Sequence, residues 1–195
     1  CSSGSRSVFV LFMLFGCFHK GIPMPGPTRF VGRAEFYQVV ETQVEQNEGP
    51  RSVFVIGTEI AKTAESFRGQ KSLSIHGNPV RFDCSGYVIA VYGTVGISIS
   101  GNTKSLYEQA VEVQVLKQIG LPKPGDVVFF DNSYDRNKNR RLDDYLTHIA
   151  IVKDVDSEGT VAMMHLGGSG ITDLVMNLQH PNDHRSPEGA LWNSY

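Results

Sequence analysis

Hydrophobic positions fall into distinct rhythms along this chain, and each rhythm predicts a different element. After Gly49-Pro50, Val53, Ile56, Ile60, Ala64 and Phe67 recur at helical spacing, and Gly69 offers a C-terminal stop. Ser52 to Arg68 is therefore predicted as an amphipathic helix lying on the core. Tyr87 to Tyr92 is apolar on every side. That fits a helix buried all round, although its β-branched residues would also suit a strand. Asp83 as an N-cap and Gly93 as a stop favour the helix. Asn102 or Thr103 caps a further short helix through Ala110.

Towards the C-terminus the helical rhythm gives way to short runs rich in β-branched and aromatic residues. Asp126 to Phe130, Thr147 to Lys153, Thr160 to Leu166 and Ile171 to Met176 are predicted strands. They lie close together in sequence, so an antiparallel meander is expected rather than parallel crossovers. The expected fold class is α+β, with N-terminal helices packed on an antiparallel sheet. Gln70 to Val80 reads as a loop, and Ala190 to Tyr195 as a strand cut short. Alternation places His148, Ala150 and Val152 on one face of their strand. Asp154 to Gly159 supplies a turn into the next strand. If Lys153 pairs with Thr160, His148 lies opposite His165 with Cβ atoms about 5 Å apart. A slip of one residue would send His165 to the far face.

The bulk numbers narrow the classes. At 195 residues the chain suits one domain plus a leader and can bury a sizeable core. A net charge of −2 gives no reason to expect nucleic acid or an anionic membrane surface as partner. Three cysteines, at positions 1, 17 and 84, have no metal-type spacing, and only one falls in the main domain. That argues for a free thiol rather than a disulfide framework, and no cofactor is implied.

Arg6 followed by the apolar run Val8 to Phe15 and then Gly16-Cys17 reads as a secretory signal, too short for a membrane span. Leu14-Phe15-Gly16-Cys17 resembles a bacterial lipobox, in which Cys17 would be acylated and anchor the protein; the alternative is a plain signal peptide. Residues 18–50, with Gly21-Ile22-Pro23-Met24-Pro25-Gly26-Pro27, read as a tether of unsettled structure, and residues 51–195 as the working domain.

The chemistry centres on Cys84. With Asp83 as N-cap, Cys84 sits in the first helical turn, where unpaired N–H groups and the helix dipole favour a thiolate. A buried structural cysteine is the competing reading. In the expected register His165 would hold one nitrogen of His148 while the other faces Cys84. Asp135, Asn137, Asn139 and Asp143 offer oxygens at alternate positions, as a calcium loop does. Arg140, however, stands where such a loop has its glycine, and Leu146 replaces the final Glu. A solvated, charge-balanced surface loop is the alternative.

Asp83-Cys84-Ser85-Gly86 with the following aromatic and Val resembles the nucleophile motif of the NlpC-type cell-wall peptidases, papain-like cysteine enzymes. Pro124-Gly125-Asp126-Val127-Val128-Phe129-Phe130 resembles that family's Pro-Gly-Asp strand, and Thr147-His148-Ile149-Ala150-Ile151-Val152 its histidine strand. The resemblance implies a papain-like fold and a Cys84, His148, His165 mechanism. The implied activity is an endopeptidase that cuts peptidoglycan stem peptides at the bond from D-glutamate to diaminopimelate or lysine, and a monomer is expected. It also implies that Asp83 and Ser85 border the pocket for the free amine of the stem's L-alanine. Leu73 and Ile75 stand where the family usually has a substrate-facing tyrosine. That departure leaves a catalytically inactive peptidoglycan-binding lipoprotein as the alternative.

Overall fold

The computed structural model describes residues 29–31, 53–113, 115–117 and 121–194. The signal segment, Cys1, Cys17, His19 and most of the 18–50 stretch lie outside the described residues.

Helix α1 runs from Val53 to Ser66 and buries Ile56, Ile60 and Ala64 along one stripe, with Phe67 continuing it. Each large apolar side chain buried this way contributes about 1.5–3 kcal/mol. Gly69, at φ 76°, turns the chain out of the helix as expected. The segment expected to be a loop instead forms a hairpin. Strands β2 (Leu73–Ile75) and β3 (Asn78–Val80) pair antiparallel. Between them His76 (φ 49°) and Gly77 (φ 84°) both adopt the left-handed conformation that a two-residue turn demands.

Helix α2 spans Cys84–Thr94 and is buried along nearly its whole length. Its N-cap is Asp83, whose carboxylate accepts from the Gly86 N–H at 2.7 Å. Gly93 does not end it. The helix continues to Thr94, and Gly96 at φ 86° turns the chain. Gly93 serves instead for close packing, since a Cβ there would lie 2.5 Å from Ile75 Cδ1. Tyr87 Oη donates to the Ala64 carbonyl at 2.8 Å and Tyr92 Oη to the Gly125 carbonyl at 2.6 Å. These two bonds fix α2 to α1 and to the Pro-Gly-Asp segment. Helix α3, Thr103–Glu112, is capped by Asn102.

The main sheet adds β1 (Arg29–Val31), β4 (Leu116–Lys117), β5 (Val127–Phe130), β6 (His148–Val155), β7 (Thr160–Gly167) and β8 (Gly170–Asn177), in the order β4-β1-β5-β6-β7-β8. All its pairings are antiparallel. The architecture is thus the expected α+β, papain-like one. Strand β1 comes from the stretch read as a tether, yet it pairs with β5 and β4. Residues 190–194 do not form the expected strand. Leu191 makes an isolated bridge to Arg185, and Ser194 hydrogen-bonds to Val175.

One face of the sheet, through Val127, Phe129, Ile149, Ile151, Met164 and Leu166, packs with the helices in the larger core. Val128, Phe130, Ala150, Val152, Val161 and Met163 form a second cluster on the other face. The register between β6 and β7 differs from the expected one. Ile151 faces Met164 and Val152 faces Met163, and then Asp154 faces Ala162 across a bulge at Lys153. Lys153 therefore does not pair with Thr160. Its ammonium reaches Asp173 at 2.7 Å and Glu65 at 3.3 Å, and Arg68 meets Asp173 at 2.8 Å, which links α1 to the sheet.

Candidate active site

In the inner register His165 comes opposite Ala150, two places from His148. An even shift preserves the face, so the two rings still meet, diagonally rather than directly across. His148 Nε2 and His165 Nδ1 are 2.7 Å apart, with the rings nearly perpendicular and centroids 4.9 Å apart. Gly167 makes room for this, since a Cβ there would lie 2.7 Å from His165 Cε1. His148 also lies against Phe130, its partner on β5. The contact engages Nε2 of His148, so the ring's other nitrogen is Nδ1.

Helix α2 brings Cys84 to the same end of the sheet. The backbone N–H groups of Ser85 and Ile149 both favour its thiolate, and Ile149 is the neighbour of His148. The sulfur thus sits at the start of β6. Among the described residues its side-chain partner is Thr103, with Sγ and Oγ1 3.8 Å apart, not the His148 ring. Hydrogen bonds of this kind are often loose in the free enzyme and tighten around substrate. Gly86 is dictated by packing here, because a Cβ would fall 1.9 Å from the Arg81 carbonyl oxygen.

The electrostatics correct one expectation. Burial pushes the Cys84 thiol above its ordinary value and the Asp83 carboxylate adds to the rise, while Thr103 and the two backbone N–H groups pull the other way. Desolvation therefore outweighs the helix start in the free protein. Burial likewise lowers His148 to about 4, with the neighbouring His165 contributing, and lowers His165 as well. The resting site is a neutral thiol beside neutral imidazoles.

The other residues singled out from sequence fall as follows. Asp83 and Ser85 lie beside the nucleophile and touch each other, Ser85 Oγ donating to Asp83 Oδ1 at 2.8 Å. In the 135–143 loop, Asp135 accepts from Asn139 N and Arg140 N, Asn137 accepts from Asn139 N, and Asp143 accepts from Asn139 Nδ2. The loop's own backbone and amide groups thus occupy those oxygens. No group of three or more His, Cys, Asp or Glu suited to a metal occurs among the described residues. His180 stacks on Trp192, at 3.9 Å between centroids, away from the histidine pair. One residue beside Cys84 escaped the sequence reading. Thr103 reads as a helix start, and nothing local marks it as facing Cys84.

A helix that opens on a cysteine and packs against an antiparallel sheet with two touching histidines is the arrangement of papain-like cysteine hydrolases. The NlpC/P60 family matches residues 67–184, more than half of the sequence, and the chain belongs to that family of cysteine peptidases and peptidoglycan hydrolases. A curated relative, "Probable endopeptidase p60" of Listeria grayi, is 38% identical over 53 residues. The match covers 27% of this chain and 10% of that protein, so the chain spans only a small part of its relative's length. No solved structure matches.

Proposed function

We propose that the protein is a cysteine endopeptidase that hydrolyses peptidoglycan stem peptides at the bond from D-glutamate to diaminopimelate or lysine. The observation that carries this reading is the 2.7 Å contact between His148 and His165 at the end of the sheet where Cys84 opens α2. His148 Nδ1 takes the proton of Cys84, and the sulfur attacks the amide carbonyl carbon. The Cys84 backbone N–H, at the helix start, meets the developing oxyanion. The amide C–N bond then breaks as His148 returns the proton to the leaving amine, which leaves a thioester. Water, deprotonated by the same ring, attacks that thioester and releases the carboxylate and the thiol. His165 acts as a positioning residue that fixes the His148 ring.

The substrate implies a protein exported to the bacterial cell envelope, anchored there through Cys17 if the lipobox is processed. No helix among the described residues is long and apolar enough to cross a membrane. The rival reading, a wall-binding protein without turnover, draws on the buried, protonated thiol. Digestion of purified peptidoglycan followed by weighing of the fragments separates the two. Turnover predicts disaccharide dipeptides ending in D-glutamate, together with new diaminopimelate or lysine amino termini. Intact muropeptides after prolonged incubation would leave the binding reading.

A further inference from the structure

The hydroxyl of Thr103 sits where the fold alone has no use for it. Thr103 opens α3, yet the cap of that helix is Asn102, whose side-chain oxygen accepts from Ser105 N at 3.0 Å and from Ser105 Oγ at 3.3 Å. Thr103 is buried, with 7% of its surface exposed. Among the described residues the hydrogen-bond partner of its Oγ1 is the Cys84 sulfur, 3.8 Å away. A hydroxyl taken out of water is unfavourable unless it is well bonded, and a thiol is a weak partner. Valine has nearly the same shape and no such penalty, so packing does not call for threonine at this position.

The contact suits the charged form of the sulfur. Between a thiol and a hydroxyl it is loose at 3.8 Å, whereas a thiolate accepts strongly from an O–H and draws it closer. The backbone N–H groups of Ser85 and Ile149 also favour the thiolate, so the sulfur has three donors from three elements: Ser85 on α2, Ile149 on β6 and Thr103 on α3. Of the two side chains that act on the thiol, Thr103 promotes its ionisation and Asp83 opposes it. The hydroxyl also fixes a direction, since it meets the sulfur from α3 while the Ile149 N–H meets it from the residue after His148.

We infer that Thr103 is a positioning residue, whose hydroxyl holds the Cys84 sulfur at the start of β6 and donates to it once the proton has passed to His148. No bond to Thr103 forms or breaks. The proton moves from Sγ to the His148 ring, and Thr103 keeps its own while its O–H turns to the negative sulfur. This rests on the reading of Cys84 as the nucleophile of a stem-peptide hydrolase.

The test compares Thr103→Val and Thr103→Ser with wild type, each checked for folding by its melting midpoint. Alkylation by iodoacetamide, followed across pH on the peptide carrying Cys84, reads thiolate formation without any substrate. Thr103→Val should displace that profile to higher pH and slow labelling at neutral pH by about tenfold, the scale of one lost hydrogen bond to a charged atom. Its kcat on a stem tripeptide should fall by about tenfold with KM little changed, because the hydroxyl acts on the sulfur. Thr103→Ser, which keeps the hydroxyl, should return both measurements close to wild type. A folded Thr103→Val protein with the wild-type alkylation profile overturns the inference, as does a serine variant no better than the valine one; stem-peptide cleavage by wild type stands in either case. If the profile moves as expected but wild type cuts no stem peptide, the hydrolase reading falls and the hold of Thr103 on the sulfur stands. Should Thr103→Val fail to fold, Thr103→Ala is held to the same outcomes.

Discussion

Replacing Cys84 by Ser is expected to lower stem-peptide cleavage by about 10⁶-fold, the scale on which a catalytic nucleophile counts. The change is nearly isosteric and leaves the Asp83 cap and its 2.7 Å bond to Gly86 untouched, so the fold should persist. The chemistry should not. His148 is held near 4 by burial, which makes it too weak a base to deprotonate an alcohol at useful rates. A thiol is far more acidic and more nucleophilic, so sulfur is the atom this site can activate. Rates for the two proteins, measured with melting midpoints to confirm equal folding, provide the check. Cleavage within tenfold of wild type would show that the nucleophile lies elsewhere.

His148→Gln should have two separable effects. Gln can hydrogen-bond but cannot carry a proton, so cleavage should fall about 10²- to 10⁴-fold. Stability, in contrast, should become less sensitive to acid. His148 titrates near 4 in the folded protein and near 6.5 when unfolded, because burial disfavours its charged form. Between those values the unfolded chain binds a proton that the folded one refuses. Stability is therefore fully present above pH 6.5 and is lost as pH falls towards 4, by about 3 kcal/mol from this ring. His165 is lowered as well and adds to the loss in the same direction. Denaturant unfolding at pH 7 and pH 4.5 should show a large drop in stability for wild type and a visibly smaller one for His148→Gln. Equal drops would mean that this ring is solvated and free to charge.

Much of this arrangement could be read from local patterns. The apolar stripe of α1, the Asp83 cap, the buried α2 and the four strands of the meander all depend on residues close in sequence, where periodicity and capping speak directly. What escaped depends on partners far along the chain. Arg29–Val31 is too short to show a strand period and becomes one only by pairing with β5 and β4. Leu73–Ile75 and Asn78–Val80 are equally short, and His76 at φ 49° carries no turn signature. The bulge at Lys153 inserts one residue into a regular run without a compositional mark. Val155 pairs with Val161 at the turn, three places off the expected register, and the bulge takes one place back, so His148 and His165 end two places apart on the same face. The acidity of Cys84 was misjudged for a related reason. The helix start is visible in sequence, but the burial that outweighs it comes from whatever packs around the sulfur.

The central claim is that Cys84 is a sulfur which stays protonated until a stem peptide occupies the site, and then attacks its D-glutamyl carbonyl. A stem-peptide analogue bearing a chloromethyl ketone in place of that carbonyl's amide tests it directly, since attack forms a thioether and expels chloride. Mass mapping after stoichiometric treatment should find a single adduct on the peptide carrying Cys84 and complete loss of cleavage, while iodoacetamide at the same pH reacts slowly. Unmodified Cys84, or full cleavage after its modification, would contradict the account.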